Sequence, residues 1–493
     1  MATSAPIPPA LRSGRGTRDS ASAAIPPAGR APGGTVSPHA WRWTGGHWTV
    51  VQREQENRNA PFQNPQSNIQ NRTPRFRYLH FHQKMIICSG VYALVQIPVQ
   101  PSEALLMKPE LFRDSPSGRV VRTPAGYWAF VPNSLPPAFL WTPTLVAALS
   151  EADRALGELA GLGRALPNPH LLIRPFVRRE AVLSSRIEGT QASLAELYAY
   201  EAVQLALVEP TPEVHEVYNY VRALENGLER LRDLPLSLRL IREIHARLME
   251  GIRGEHQTPG DFRRSQNWLG PAGSTPADAP FVPTPVPEML EALDSFERFL
   301  HAPSLLPRLV SLGLIHYQFE VIHPFLDGNG RIGRLLITLL LCAWDLLPEP
   351  LLYLSAYLEA QRQTYYDLLL AVSQRGQWED WLVFFLRGVA LQSRDAVVRA
   401  GRLQNLREQY REQLQGTRVP ARLLQAVDLL FAQPVLTMRQ VEAALGVNFS
   451  TAQRYVHQLV DLGLLREITG QARNRVYRAE QILQAIEEPL GAG

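Results

Sequence analysis

The chain has 493 residues, of which 45% are hydrophobic and 19% charged, as in an ordinary globular protein with room for about three domains. No apolar run reaches the roughly 18 residues that a membrane-spanning helix needs, so we expect no membrane association. Cys88 and Cys342 are the only cysteines, too few for a disulfide framework or a cysteine-based metal site, which favours a reducing, cytoplasmic location.

The charge is unevenly distributed along the chain. Residues 1–106 carry 11 Lys and Arg against 4 Asp and Glu, whereas residues 107–493 carry 39 against 42. The overall net charge of +4 therefore arises in the N-terminal segment. The remainder is not a basic protein, and its charge gives no indication of nucleic-acid binding.

Residues 1–106 also differ in composition from the rest. Pro, Ala, Gly and Ser dominate up to Pro38, and an Asn- and Gln-rich stretch covers residues 52–71. Between them lies a tryptophan cluster, Trp41, Trp43 and Trp48. Since this segment has no periodic apolar face to bury, we predict a disordered extension. A further hypothesis is that the extension is spurious and that Met107 is the natural start.

From Thr142 onward the apolar pattern predicts helices almost throughout, with prolines marking the loops. The loop-marking prolines are Pro167, Pro210, Pro235, Pro259 and Pro271. Within this part, residues 184–190 read Ser-Ser-Arg-Ile-Glu-Gly-Thr. By itself this segment is only a helix end that carries a glutamate.

The most informative segment is residues 323–334, His-Pro-Phe-Leu-Asp-Gly-Asn-Gly-Arg-Ile-Gly-Arg. Apolar runs on both sides predict two buried helices joined by a turn, with Gly328, Asn329 and Gly330 at the start of the second. A glycine-rich turn that begins a helix offers free N–H groups and the positive end of the helix dipole, which favour phosphate. Arg331 and Arg334 are three residues apart on that helix, so both can face one anion.

Two other side chains of this segment can take part in chemistry. His323 is a candidate general base, because the ordinary pKa of histidine lies near neutrality. Asp327 offers a carboxylate of the kind that Mg²⁺ uses beside nucleotide phosphates.

Residues 421–486 are predicted to form a winged helix-turn-helix. Helices are expected at residues 423–431, 438–445 and about 450–462, and a wing at residues 470–477. The third helix carries only two basic groups, Arg454 and His457, and residues 420–480 have 7 basic against 5 acidic side chains. DNA binding is therefore not favoured, and packing, dimerisation or target recruitment is the expected use.

Residues 323–334 closely resemble the signature of the Fic family, H-P-F-x-[D/E]-G-N-G-R-x-x-R, and every fixed position is filled. Residues 175–197 match the family's N-terminal module, and the resemblance runs from Met107 to about residue 390 and more loosely to the end of the chain. It implies a mainly α fold, in which a Fic-type helical bundle carries a short β-hairpin flap. Together with the ends of the chain, the expected domains are a disordered extension (1–106), an N-terminal helical module (107–205), a catalytic core (206–395), a linker helix (396–420) and the winged helix (421–486).

The resemblance implies a protein adenylyltransferase that moves AMP from ATP to a Tyr, Ser or Thr hydroxyl of a target protein, with self-modification allowed. His323 would deprotonate that hydroxyl, and Asp327 would hold Mg²⁺ or Mn²⁺. Phe325 would point into the core and anchor the loop. The implied nucleotide-binding residues are Gly328, Asn329, Gly330, Arg331, Arg334, Tyr357 and Tyr366.

Two parts of the implied site lie outside the signature. Residues 263–270 and 281–283 would lead to the flap, which in the family pairs with the target segment. Tyr357 and Tyr366 would lie on the adenine side, although this chain has Gln361 where the family commonly has asparagine.

Residues 184–189 fit [S/T]-x-x-x-E-[G/N], the inhibitory motif of autoinhibited Fic proteins, with Ser184, Glu188 and Gly189 at the fixed positions. Glu188 is expected to pair bidentately with Arg334 and so to occupy the donors that the γ-phosphate needs. The same carboxylate could orient a water that removes AMP from a modified target.

An alternative function is a winged-helix DNA-binding regulator in which the Fic core senses a nucleotide. The intact His323 favours the enzyme, since sensing phosphate needs no base. The sequence names neither the target protein nor the oligomeric state, for which a homodimer is one expectation.

Overall fold

The computed structural model describes residues 41–44, 47–50, 106–165, 169–203, 211–252, 258–271, 273–303, 305–414 and 420–488. Fifteen α-helices and a few short strands lie within these ranges, which confirms the mainly α fold. None of the helices in these ranges is long and apolar enough to cross a membrane.

The N-terminal segment contains a described hairpin. Strands β1 (Trp41–Thr44) and β2 (His47–Val50) pair antiparallel, with Trp43 opposite Trp48. The two residues between the strands are both glycine, the composition of a tight hairpin loop. Tryptophan, threonine and valine favour extended backbone, which explains these strands. The disordered extension stays a prediction. The other residues of this extension up to residue 105 lie outside the described ranges.

A second unit of the structure includes the described residues from 106 onward. It begins with a 3-10 turn (Pro109–Phe112) and an antiparallel hairpin of β3 (Gly118–Arg122) and β4 (Trp128–Pro132). The N–H groups of Met107 and Phe130 donate to the carbonyls of Ala279 and Val282, each over 2.9 Å. These bonds attach the hairpin to the segment that precedes the central helices.

Eleven helices form the body of this unit. The first six are α1 (Pro143–Ala165), α2 (His170–Ile187), α3 (Leu194–Val203), α4 (Pro212–Arg230), α5 (Leu238–Leu248) and α6 (Val286–His301). The next five are α7 (Arg308–Ile322), α8 (Asn329–Ala343), α9 (Ser355–Ala360), α10 (Arg362–Arg375) and α11 (Trp378–Leu414). Helices α7 and α8 are buried along most of their length, which explains their high content of apolar residues.

Helix α11 runs through the predicted domain boundary between residues 395 and 396. It is a continuous helix of 37 residues. The sequence contains no proline between Trp378 and Leu414 that would end it. Residues 396–414 of the predicted linker helix therefore continue the same helix as residues 378–395.

Among the described residues of the expected β-hairpin flap (258–271 and 273–283), the structure has one antiparallel bridge, between Leu269 and Phe281. The N–H of Leu269 donates to the carbonyl of Phe281 over 2.9 Å. Pro271, Pro280 and Pro283 lack the N–H group that a longer ladder would require.

The C-terminal elements are α12 (Ala421–Ala432), β5 (Val435–Thr437), α13 (Met438–Leu445), α14 (Phe449–Asp461), β6 (Arg466–Glu467), β7 (Val476–Arg478) and α15 (Glu480–Glu487). The strands form an antiparallel sheet in the order β5-β7-β6. Thr437 and Gln440 form a capping box at the start of α13, and Gly446, with φ 57°, ends it. The three predicted helix positions agree with α12, α13 and α14.

Candidate active site

The loop between α7 and α8 is bounded by two residues in the left-handed region. His323, with φ 50°, ends α7, and its N–H donates to the carbonyl of Phe319 over 3.0 Å. Gly328, with φ 78°, is the N-cap of α8. A non-glycine residue with positive φ costs conformational energy, so the surroundings must hold the loop in place.

Two buried side chains hold the loop from the side of α5 and α8. Asn329 accepts from the N–H of Phe325 and donates to its carbonyl, each over 2.8 Å. The ring of His245 is stacked on that of Phe325, which is fully buried as predicted. Nδ1 of His245 accepts from the N–H of Gly260 over 2.9 Å, so Nε2 carries the proton and donates to the carbonyl of Asp327 over 3.0 Å.

Arg263 and Asn267 hold the same loop from the other side. Nε of Arg263 donates to the carbonyl of His323 over 2.9 Å, and another of its nitrogens donates to the carbonyl of Thr284. Nδ2 of Asn267 donates to the carbonyls of His323 and Phe325 over 3.1 and 2.8 Å. The flap segment therefore fixes the backbone of the candidate base.

The imidazole of His323 is held in one tautomer. Its Nδ1 donates to the carbonyl of Glu320 over 3.0 Å, so Nε2 carries the lone pair. Burial lowers the pKa of His323 to about 4, although the hydrogen bond to Glu320 opposes the shift. The ring is therefore neutral at pH 7 and able to accept a proton.

A cavity of about 720 Å³ opens beside His323. Eight of the predicted site residues line it: Glu188, His323, Asp327, Gly328, Asn329, Gly330, Arg334 and Tyr366. The flap contributes Trp268 and Leu269 to the lining, and both side chains are partly exposed. The structure thus gathers most of the predicted site around one space.

Arg331 does not face the cavity with Arg334, contrary to the expectation from their spacing. Its guanidinium is buried and lies 3.6 Å from a carboxylate oxygen of Glu216 and 3.5 Å from one of Asp327. Its side chain leaves the first turn of α8 on the side that packs against α4 and α5, where it also contacts Met249.

Tyr357 is also absent from the cavity lining. Its ring packs 4.8 Å from that of Phe384 and lies directly against Gly388, both on α11. The side chain is therefore part of the contact between α9 and α11, and only Tyr366 of the two predicted tyrosines is at the cavity.

Asp327 is the candidate metal ligand. One of its carboxylate oxygens accepts from the N–H of Gly328 over 2.6 Å, and the side chain is 46% exposed. Within the described ranges, no group of three or more His, Cys, Asp or Glu side chains could hold a metal ion. A single carboxylate fits Mg²⁺ that is bound together with substrate phosphates.

Arg334 is bound by residues of the predicted inhibitory motif. Its Nε donates to the hydroxyl of Ser184 over 2.8 Å, and Nη2 donates to the carbonyl of Ser184 over 3.0 Å. Nη2 also donates to Oε1 of Glu188 over 2.7 Å. The expected bidentate pair is therefore replaced by one contact with the carboxylate, through the same nitrogen that donates to the carbonyl of Ser184.

The carboxylate of Glu188 lies against the first turn of α8. A β-carbon on Gly330 would collide with its Oε1, so the absence of a side chain at Gly330 leaves room for the carboxylate. Burial favours the neutral form of Glu188, but the charge and the hydrogen bond of Arg334 outweigh it and lower the pKa. An ionised carboxylate thus occupies the end of the helix where an anion would bind.

Glu320 lines the same cavity and was missed by the sequence reasoning. Its side chain is buried, and Oε1 has no hydrogen-bond partner within the described part of the chain. Burial raises the pKa of Glu320 to about 7, although Arg334 opposes the shift. The sequence of α7 does not indicate this role, because the apolar pattern predicts a buried helix but not which of its side chains line a cavity.

Comparison with known proteins identifies the family. The Fic/DOC family N-terminal domain matches residues 146–229, and the Fic/DOC family domain matches residues 235–341. These two matches support a Fic family protein. The second match contains the loop, His323 and Arg334, and the first contains Ser184 and Glu188.

Curated relatives carry the name protein adenylyltransferase Fic. The Drosophila virilis protein is 30% identical over 163 residues, and the Drosophila erecta protein is 28% identical over 162 residues. Each match covers 31% of this chain and 30% of the relative, so the chain spans about a third or less of their length.

Solved Fic structures are similar at low identity. A Fic family protein from Desulfovibrio desulfuricans G20 is 20% identical, with 70% of this chain and 98% of that chain covered and a TM-score of 0.45. Fic-1 from C. elegans is 24% identical, with 52% and 73% covered and a TM-score of 0.41.

Proposed function

We propose that this Fic protein is a protein adenylyltransferase that moves AMP from ATP to a hydroxyl side chain of a target protein and is inhibited by its own Glu188. The observation that carries the proposal is the position of His323, whose free Nε2 lies beside a cavity at the N-terminus of α8. The name of the curated relatives agrees with this activity.

In the proposed step, the target hydroxyl oxygen attacks the α-phosphorus of ATP. The new O–P bond forms as the bond from the α-phosphorus to the bridging oxygen of pyrophosphate breaks, and pyrophosphate leaves. Nε2 of His323 takes the hydroxyl proton, since Nδ1 is already bound to the carbonyl of Glu320. The hydrogen bond to Glu320 favours the Nδ1–H tautomer of His323, which leaves on Nε2 the lone pair that a general base needs.

Phosphate binding is proposed for the first turn of α8 and for Arg334. The N–H groups that follow Gly328 and the helix dipole attract phosphate, and Arg334 supplies a full positive charge. Asp327 would hold Mg²⁺ together with the phosphates, where the ion would neutralise their negative charge.

Inhibition by Glu188 is proposed from the same geometry. The carboxylate occupies Arg334 and lies where a γ-phosphate would add further negative charge. A penalty of about 2 to 3 kcal/mol on productive ATP binding would reduce turnover by roughly 30- to 150-fold.

The proposal is tested by the fate of two labels. The Glu188→Gly chain is incubated with ATP labelled at either the α- or the γ-phosphate, and label on the chain itself and on added protein is measured. Retention of α-label alone is expected. Retention of γ-label would indicate phosphate transfer, and retention of neither, with duplex DNA binding by the full chain, would favour the nucleotide-sensing regulator.

A further inference from the structure

The helix that carries the inhibitory residues is held on its far side by the C-terminal elements. Ser184 on α2 contacts Arg334, whereas Arg179 lies 3.6 Å from the carboxylate of Asp395 on α11. Five positions separate Arg179 from Ser184, which places them about 140° apart around the helix axis. One face of α2 therefore contacts Arg334 at the cavity, and another face contacts α11.

Asp395 also connects α11 to the end of the chain. It accepts two hydrogen bonds from Arg399, over 3.2 and 2.9 Å. Arg399 is almost fully buried, and its Nη1 donates to the carbonyls of Ala485, Ile486 and Glu488 over 3.3, 2.6 and 3.0 Å. These carbonyls belong to the last turn of α15 and the residue after it, where the backbone needs external donors.

The C-terminal elements contact α2 and α3 directly as well. Helices α12 and α15 pack on α2, and β5 and β7 pack on α3. The side chain of Gln440 on α13 donates to the carbonyl of Glu201 on α3 over 3.5 Å. Arg178 on α2 in turn donates to the carboxylate of Glu201 over 2.9 Å. The inhibitory helix is thus enclosed between the Fic core and residues 420–488.

We infer that residues 420–488 act as a clamp that holds α2 in its inhibitory position, with Arg179, Asp395 and Arg399 as the connecting charges. Loss of the clamp frees α2 to move away from α8, which separates Glu188 from Arg334. The inference rests on the proposed inhibition by Glu188. The clamp is a regulatory element outside the cavity. A ligand or partner that moves residues 420–488 relative to α2 would change whether Arg334 is free to bind phosphate.

Two single variants of the full chain test the clamp from its two ends. Arg399→Gln releases the end of α15, and Arg179→Gln releases α2 while the contacts of Arg399 stay in place. Each is expected to raise transfer of AMP at least threefold when Glu188 is present and to have no effect in the Glu188→Gly chain. The matched control is Arg394→Gln, since Arg394 on the same helix pairs with Glu151 on α1 and not with α2.

Hydrogen exchange provides the second measurement. The amides of residues 176–187 should exchange faster in both variants than in the Arg394→Gln control. Should Glu188→Gly be active and both variants stay at the wild-type level, the clamp is overturned and the proposed function stands. If Glu188→Gly does not transfer more AMP than the wild type, the proposed inhibition fails. Unchanged hydrogen exchange of α2 in the Arg179→Gln and Arg399→Gln variants would also overturn the clamp. If Arg399→Gln does not fold, Arg179→Gln alone decides.

Discussion

The ring of His245 lies parallel to the ring of Phe325, with centroids 3.7 Å apart and 6° between the planes. His245 thereby connects α5 to the loop that carries the candidate base, and its two ring nitrogens are both bonded to backbone. Burial lowers its pKa to about 4, so the ring remains neutral at physiological pH. This histidine is a support of the site rather than a reactive group.

His245→Ala should lower the free energy of unfolding by about 2 to 4 kcal/mol, since it removes a buried ring and leaves the N–H of Gly260 and the carbonyl of Asp327 unpaired. His245→Phe should recover part of this loss, because it restores stacking but neither hydrogen bond. Denaturant unfolding measures both. Equal stability of His245→Phe and the wild type would show that the hydrogen bonds contribute nothing.

His323→Ala, made in the Glu188→Gly chain, should reduce transfer at least 100-fold and leave ATP affinity within about threefold. The physical reason is that the proton acceptor acts after binding, whereas Arg334 and the start of α8 hold the nucleotide. Label transfer and calorimetric titration with ATP measure the two effects. The control is His301→Ala, an exposed histidine on α6. Transfer near the parental level would refute the role of His323.

The pH dependence of transfer reports the state of His323. Because the folded pKa is lowered to about 4, the neutral base is present at every pH well above 4 and is lost only as the pH falls through that value. Between pH 7.5 and 5.5, kcat/KM of Glu188→Gly should therefore fall less than threefold. A base with the ordinary histidine pKa of about 6.5 would lose roughly tenfold over this range, and such a profile would contradict the assignment.

Substitution of two adjacent serines distinguishes the effect of the hydrogen bond to Arg334 from the effect of losing a buried hydroxyl. Ser184→Ala leaves a buried donor of Arg334 without its acceptor, which should cost about 1 to 3 kcal/mol of stability and raise transfer two- to fivefold. Ser185 is equally buried, but its hydroxyl has no hydrogen-bond partner within the described residues. Ser185→Ala should therefore change transfer little, and equal effects of the two substitutions would argue against a role of Ser184.

The sequence predicted what is local. A glycine-rich turn between two apolar helices is encoded within residues 323–334, so the loop and the start of α8 could be placed in advance. Contacts between segments that are distant in sequence could not be predicted from this pattern. The spacing of Arg331 and Arg334 suggests a shared face, yet Glu216 on α4 and Ser184 on α2 draw the two side chains to different partners.

The same limit explains the supporting residues that were missed. His245 and Glu320 lie in helices whose apolar patterns are satisfied without them, and only the folded chain shows that one is stacked on Phe325 and the other faces the cavity. The inhibitory motif at residues 184–189 predicted, through its family resemblance, that Glu188 pairs with Arg334. It could not reveal that the helix carrying it is also packed against the C-terminal elements.

The central claim is that Glu188 inhibits transfer by holding Arg334. Label transfer from ATP labelled at the α-phosphate should be measured side by side for the wild type, Glu188→Gln, Glu188→Gly and Glu188→Gly/Arg334→Ala, with melting temperatures as the control for folding. Glu188→Gly should transfer at least tenfold more AMP than the wild type. Glu188→Gln should be intermediate, since it keeps the bulk and a hydrogen-bond acceptor but not the charge.

The gain should disappear in Glu188→Gly/Arg334→Ala, because the freed γ-phosphate then has no arginine to hold it. Any hydrolysis of AMP from a modified protein should instead fall in Glu188→Gly, which lacks the carboxylate that could orient a water. Equal transfer by the wild type and a folded Glu188→Gly chain, or a gain that survives the loss of Arg334, would contradict the account.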